Sequence, residues 1–310
     1  MYLWRYSALG SADMSTATAA PPRALFRGLV DDAAVFPPGS APMPEAVPAH
    51  LRHRAAWYAD VVGPFLVPVT GVDAFQAAAE LATRTPIRVG VIADPTSADP
   101  LAGALDAVRR LADGGRAEPV AVEVPLPRGT HQGEAAAGLL ARLRETLPSG
   151  VRAWVEVQRE DGWREALRRI ADSGAQVGGK LRTGGTSAQA FPSTAELAAF
   201  VHEAVAVGVP VKLTAGLHTA LRGPDPTGAH HHGVLNVICA VHAATGGATA
   251  EDLVDLLEQT EADPLVTAVR AMGPGEAAAV RATFASFGCC GVTDPVGDLV
   301  DLGLLQEVPA

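Results

Sequence analysis

Two lysines, Lys180 and Lys212, stand among 22 arginines in this chain of 310 residues. Their settings run nearly parallel, Gly-Gly-Lys180-Leu-Arg-Thr-Gly-Gly and Pro-Val-Lys212-Leu-Thr-Ala-Gly-Leu. A guanidinium stays protonated in proteins, whereas a desolvated ε-amine can give up its proton and serve as a base or an imine-forming nucleophile. Where arginine supplies almost every surface cation, two lysines in matching contexts point to amine chemistry. Two ammonium groups sharing a small cavity would also ease the loss of a proton from one of them.

Further polar groups fall at the ends of short β-branched runs. Glu123 and Glu156 fall at such ends, and Arg182 is placed to hold a carboxylate or phosphate bidentately. Asp32, Thr214, His218 and Cys289 are expected along a substrate pocket, with Phe36-Pro37-Pro38-Gly39 as one of its walls. Gly184-Gly185 and Gly216 would free backbone N–H groups for an anion. A second chemistry is open to His218 and His232, which with a strand-end carboxylate and water could hold a divalent metal ion. Their spacing follows no tight ligand motif. Cys239 sits on an apolar helical face and reads as core.

The elements that must position these groups alternate along the chain. Strands are expected at Leu25–Val30, Phe65–Val69, Arg88–Ile92, Val120–Val124, Ala153–Val157, Val177–Leu181, Val211–Thr214 and Thr283–Phe287. Helical periodicity falls near 43–60, 72–83, 98–113, 133–146, 162–173 and 194–208, and Ser193 or Thr194 is a ready cap for the last. Eight strands with helices between them imply parallel βα units, which close most naturally as a (β/α)8 TIM barrel. An open doubly wound sheet is the competing topology. The long interval between the seventh and eighth strands must hold extra helices, near 232–245 and 250–260, with a third near 275–282. Residues 23–310 then form one domain, preceded by a small, polar segment, 1–22, that reads as disordered and includes a second candidate start at Met14.

Composition narrows the function classes. The formal net charge of −10 disfavours nucleic acid and anionic membrane surfaces as partners, leaving a small anionic molecule in a local cationic pocket. Three cysteines, two of them adjacent, make no disulfide framework, which suits a reducing cytoplasm. The N-terminal residues lack a signal peptide's pattern, and no apolar run approaches the length of a membrane span. Homo-oligomer formation is left open.

Lys180-Leu-Arg-Thr-Gly and Lys212-Leu-Thr-Ala-Gly resemble the two lysine strands of deoxyribose-phosphate aldolase and related class I aldolases. The resemblance covers about 15 residues and departs at Arg182, where that family carries a small residue. It implies that Lys180 forms the imine, that Lys212 perturbs its pKa, and that a carboxylate such as Glu123 or Glu156 assists proton transfer. Over its whole length the chain resembles a family of uncharacterised bacterial proteins. The segments concerned are Asp31–Gly39, Lys180–Gly185, Lys212–His218, His232–Val237 and Phe287–Gly291. Together these readings lead to the expectation of a cofactor-independent C–C lyase or isomerase acting on a small oxygenated anion. A metal-dependent hydrolase or lyase and a noncatalytic anion-binding barrel are the alternatives.

Overall fold

The computed structural model describes residues 22–174, 176–185, 190–224 and 230–307. Eight parallel strands close into a barrel: β1 Val30–Asp32, β2 Val62–Pro68, β3 Ile87–Ile92, β4 Ala117–Pro125, β5 Arg152–Glu156, β6 Val177–Arg182, β7 Val211–Thr214 and, after a two-residue ribbon β8 (Gly223–Pro224) and β9 (His230–His231), β10 Phe284–Cys289. The order around the barrel is β1-β10-β7-β6-β5-β4-β3-β2, with β1 paired to both β10 and β2. This is the (β/α)8 architecture, and closure rules out the open doubly wound sheet.

Helices α1 Met43–Ala55, α2 Val72–Ala82, α3 Pro100–Asp113, α4 Gln132–Thr146, α5 Trp163–Asp172 and α6 Thr194–Val207 cross between successive strands. Ser193 caps α6 in a reciprocal box with Glu196, its hydroxyl accepting from the Glu196 N–H at 3.2 Å. Between β7 and β10 run α7 Val234–Thr245, α8 Ala250–Glu258, α9 Ala262–Ala271 and α10 Pro274–Thr283, and α11 Thr293–Asp301 follows the last strand. The extra helices expected before the eighth barrel strand are present, joined by α9. That helix is hidden in the sequence by Pro264, Val266, Thr267 and Val269; the burial of Leu265 and Val269, one turn apart, holds it in place.

The first strand is shorter and later than its sequence suggests. Arg23–Leu25 form a 3₁₀ turn, and Gly28, at φ +58°, breaks the apolar run before β1 begins at Val30. Of the N-terminal segment 1–22, all but Pro22 lies outside the described residues, Met14 included. No helix among the described residues is long and apolar enough to cross a membrane.

A single apolar core surrounds the barrel, formed by outward-facing strand residues such as Val122, Val155, Leu181, Leu213 and Phe287 against the helices. The inside differs. Barrel interiors are ordinarily filled with layers of branched aliphatic side chains, but here Asp31, Glu123, Glu156, Lys180 and Lys212 point inward and are all buried. Glycine supplies the room: a Cβ at Gly63 would collide with the Asp31 carboxylate, and one at Gly178 with the Trp154 ring.

Candidate active site

The inward charges form one connected ladder. Lys180 and Lys212 are register partners on β6 and β7, as Glu156 and Lys180 are on β5 and β6. The Lys212 ammonium donates to Asp31 Oδ2 and Glu123 Oε1, each at 2.5 Å. The Lys180 ammonium lies 2.6 Å from Glu123 Oε2 and 2.9 Å from Glu156 Oε2. Arg182 reaches Glu156 Oε1 at 3.4 Å, and the Ser286 hydroxyl donates to Asp31 Oδ2 at 2.9 Å. Three carboxylates thus alternate with three cations, and the set carries no net charge. Such a chain is tolerated in a dry interior only because each ion is paired.

The two lysines differ in how they are held. Both Lys212 contacts are hydrogen bonds, and its side chain is 1 % exposed. The Lys180 contacts are ion pairs that lie off hydrogen-bond geometry, and Glu123 Oε2 accepts no hydrogen bond from the described residues. Lys180 also borders open space, whereas Lys212 borders none of the mouth cavities. Lys212 is therefore locked into the barrel, and Lys180 is the amine a ligand can reach.

Electrostatics set the resting charge states. Burial alone would lower both ammonium groups, but the carboxylates beside them outweigh it, so both are held above the ordinary lysine value. Burial alone would raise Glu123, yet Lys180 and Lys212 together hold it down to about 2. Glu156 is likewise lowered by Lys180 and Arg182 against the effect of burial. The expectation that Lys212 depresses the pKa of Lys180 is corrected here. Glu123 stands between the two ammonium groups, and its negative charge cancels the repulsion that would have driven a proton off.

Above Lys180 the C-terminal mouth opens into a cavity of about 410 Å3, of which Glu123, Lys180, Arg182 and Thr214 form the polar floor and His218 part of the rim. Phe36, Pro37 and Pro38 form a wall, as their turn suggested; the Pro37–Pro38 peptide is cis. A neighbouring cavity of about 360 Å3 shares Phe36, Glu123, Lys180 and Arg182 and adds Glu156 and Asp94. The loop after β7 is shaped by Ala215 at φ +61° and Gly216 at φ +75°. The Thr183 hydroxyl fixes this conformation by donating to the Ala215 carbonyl at 2.5 Å. A non-glycine residue in the left-handed region is uncommon and costs energy that surrounding contacts must offset.

Several expected site residues lie elsewhere. Asp32 faces outward from β1, where its Oδ2 pairs with His50 Nδ1 of α1 at 3.0 Å and its Oδ1 accepts from the Ala34 N–H. Cys289 is buried, with its thiol 3.2 Å from the Gly291 carbonyl and 3.7 Å from His218 Nδ1; burial pushes it up to about 12. The adjacent Cys290 lines the mouth instead, 3.8 Å from the same imidazole nitrogen. Gly184 and Gly216 lie at the contact between two loops. They let the loops after β6 and β7 touch, and a Cβ on Gly184 would come within 2.7 Å of the Gly216 backbone. Cys239 lies in the core as expected.

The two histidines of the metal reading have separate surroundings. His232 is buried, donates from Nε2 to the Pro192 carbonyl at 3.2 Å and faces Arg222 through Nδ1 at 3.4 Å. His218 stands apart from it at the mouth, beside the cysteines and His231. Among the described residues no group of three His, Cys, Asp or Glu is arranged to hold a metal ion. Sequence reasoning missed His231, which packs on Phe191 with ring centroids 4.9 Å apart and borders the cavity, and Ser286, which ends the ladder. A serine with inward strand parity on β10 was the only signal for Ser286.

Compared with family models and with curated proteins, the chain matches none.

Proposed function

We propose that this barrel is a small-molecule enzyme, a C–C lyase of aldolase type or an isomerase, that acts through an imine on Lys180. The observation that carries the reading is the setting of one amine. Lys180 Nζ lies at the floor of the mouth cavity with two carboxylates within 2.9 Å and, by register, a second lysine beside it. An amine in contact with proton acceptors, at the closed end of a pocket on the C-terminal face, is what imine formation requires.

In the resting site Lys180 is an ammonium ion. As a substrate carbonyl enters, Glu156 takes a proton from Lys180, the freed nitrogen lone pair attacks the carbonyl carbon, and a second nitrogen proton passes to the carbonyl oxygen to give a carbinolamine. The same carboxylic acid returns its proton to the departing hydroxyl, which leaves as water, and a protonated imine remains. In the lyase direction Glu156 accepts the proton of the substrate's β-hydroxyl. The C–C bond then breaks, an aldehyde departs, and the electron pair moves to the imine nitrogen as an enamine. Protonation of the enamine carbon and hydrolysis restore the amine. Lys212 keeps Glu123 ionised and fixed between the two amines. Arg182 holds an anionic substituent of the substrate, its guanidinium being half-exposed toward the cavities and tied to Glu156 by a single long contact.

Borohydride reduction in the presence of small aldehydes and ketones tests the reading, with the modified residue located by mass spectrometry. A mass increment on Lys180 is expected. A chain that binds small anions through Arg182 but forms no adduct with any carbonyl is a binding barrel instead.

A further inference from the structure

The opposite end of the barrel carries a cavity that the proposed reaction does not use. It has a volume of about 1160 Å3, opens at the N-terminal mouth and reaches inward to Asp31, Trp154 and Ser286. Small residues keep it open, Gly63 and Ala121 among them, where a barrel would normally be filled. Five arginines border it: Arg27, Arg54, Arg88, Arg152 and Arg281.

These five are unlike most other arginines in the protein. Elsewhere Arg23, Arg110, Arg116, Arg142 and Arg168 are each paired to a carboxylate, as is usual on an acidic surface. Around this cavity none of the five has an ion-pair partner among the described residues. Arg54 donates to the Ala59 and Val62 carbonyls, and Arg281 to the carbonyls of Phe284, Ala285 and Arg27. These neutral acceptors fix the guanidinium groups without cancelling their charge. Burial pushes Arg281 down to about 10, with Asp31 pulling the other way, which marks a cation short of negative charge. Arg152 lies over the Trp154 ring at 5.2 Å. Arg88 and Arg152 share the inward parity of Ile92 and Glu156 on their strands, so both stand at the rim of the barrel's axis. The two acids in the lining are held mainly by other cations, Asp60 by Arg23 and Asp31 by Lys212, with weaker attraction from Asp60 to Arg27 and from Asp31 to Arg281.

We infer that the N-terminal mouth is a second binding site, for a small polyanion bearing several phosphate or carboxylate groups. Five arginines bordering one cavity in a chain of net charge −10 concentrate positive charge in one concave place. Planar forked donors match phosphate and carboxylate oxygens equally well. Concavity and depth suit a compact molecule rather than an extended nucleic-acid backbone. The floor of this site is the Asp31 end of the ladder, which runs on through Lys212, Glu123 and Lys180 to Glu156 and Arg182, so the two mouths face opposite ends of one ion chain.

Calorimetric titration of the full chain with inorganic tripolyphosphate, and separately with citrate, tests the assignment. At least one probe should bind saturably at a single site. Arg88→Gln and Arg152→Gln should each weaken that binding about tenfold or more, while Arg182→Gln, at the other mouth, leaves it unchanged. Which probe binds distinguishes a phosphate ligand from a polycarboxylate. Unfolding midpoints of the variants check integrity; Arg88 is exposed and makes no structural bond among the described residues, so its variant decides the matter if Arg152→Gln misfolds. Saturable binding of neither probe, or binding that depends on Arg182 rather than on Arg88, would overturn the inference.

Discussion

Lys180 and Lys212 are joined by one carboxylate: Glu123 places Oε2 2.6 Å from the first ammonium and Oε1 2.5 Å from the second. Two like charges on adjacent strands are thereby held in one interior without repelling a proton away. The division of labour follows from the remaining partners. Lys212 is closed off by Asp31 below, and Lys180 opens to the mouth.

The energetic weight of that bridge is open to measurement. Glu123→Gln removes the shared charge and leaves two buried ammonium groups each short of a partner. Breaking a buried pair in this way costs about 3–5 kcal/mol. Urea unfolding should show a loss of this size for Glu123→Gln and for Lys212→Met. Adding Asp31→Asn to Lys212→Met should recover part of the loss, since it removes the orphaned carboxylate. Losses below about 1 kcal/mol, the range of exposed pairs, would mean that the ladder is solvated.

Acid titration reads the same bridge. Glu123 is held at about 2 in the folded chain against its usual 4.5, so its contribution is complete above about pH 4.5 and is lost as pH falls toward 2. Asp31 is pushed the other way by burial and takes up its proton first. Stability measured by urea unfolding should therefore fall between pH 4.5 and 2, and the fall should be shallower in Glu123→Gln. Equal slopes in the two proteins would show that Glu123 is not the titrating group.

Gly63 is the space into which Asp31 fits. In Gly63→Ala the new methyl meets Asp31 Oδ1, and the carboxylate must turn away from Lys212. Overpacking of this kind costs about 1–3 kcal/mol. The expected result is a lowered thermal midpoint, with the cost much reduced when Asp31→Asn and Lys212→Met are already present. An unchanged midpoint in the otherwise native chain would place Asp31 elsewhere.

Much of this arrangement was legible in the chain. The period of β-branched runs located seven of the eight barrel strands and met the first only at Val30, and the strand-end types picked out Lys180, Lys212, Glu123, Glu156, Arg182 and Thr214, which do converge. What sequence could not supply is who meets whom once the barrel closes. Ser286 and Asp31 lie 255 positions apart and touch only because β10 pairs with β1. The same closure put Glu123 between the lysines and reversed the expected electrostatics. Asp32 was misplaced because a strand so short gives no clear alternation: Asp31 faces in and Asp32 faces out to His50 of α1, whose histidine gives no sequence signal. The helix α11 was missed because Pro295 and Gly297 mask its periodicity.

The central claim is that Lys180 is the reactive amine. The direct test is borohydride trapping with a panel of small aldehydes, ketones and keto acids across a pH series, with peptide mass mapping. Because Lys180 is held above the ordinary lysine value, its neutral fraction grows with pH, so the adduct yield should rise from neutral toward alkaline pH. The label should lie on Lys180, be absent in Lys180→Arg and spare Lys212. A label on Lys212, or no label on either lysine with any carbonyl at any pH, would contradict the account.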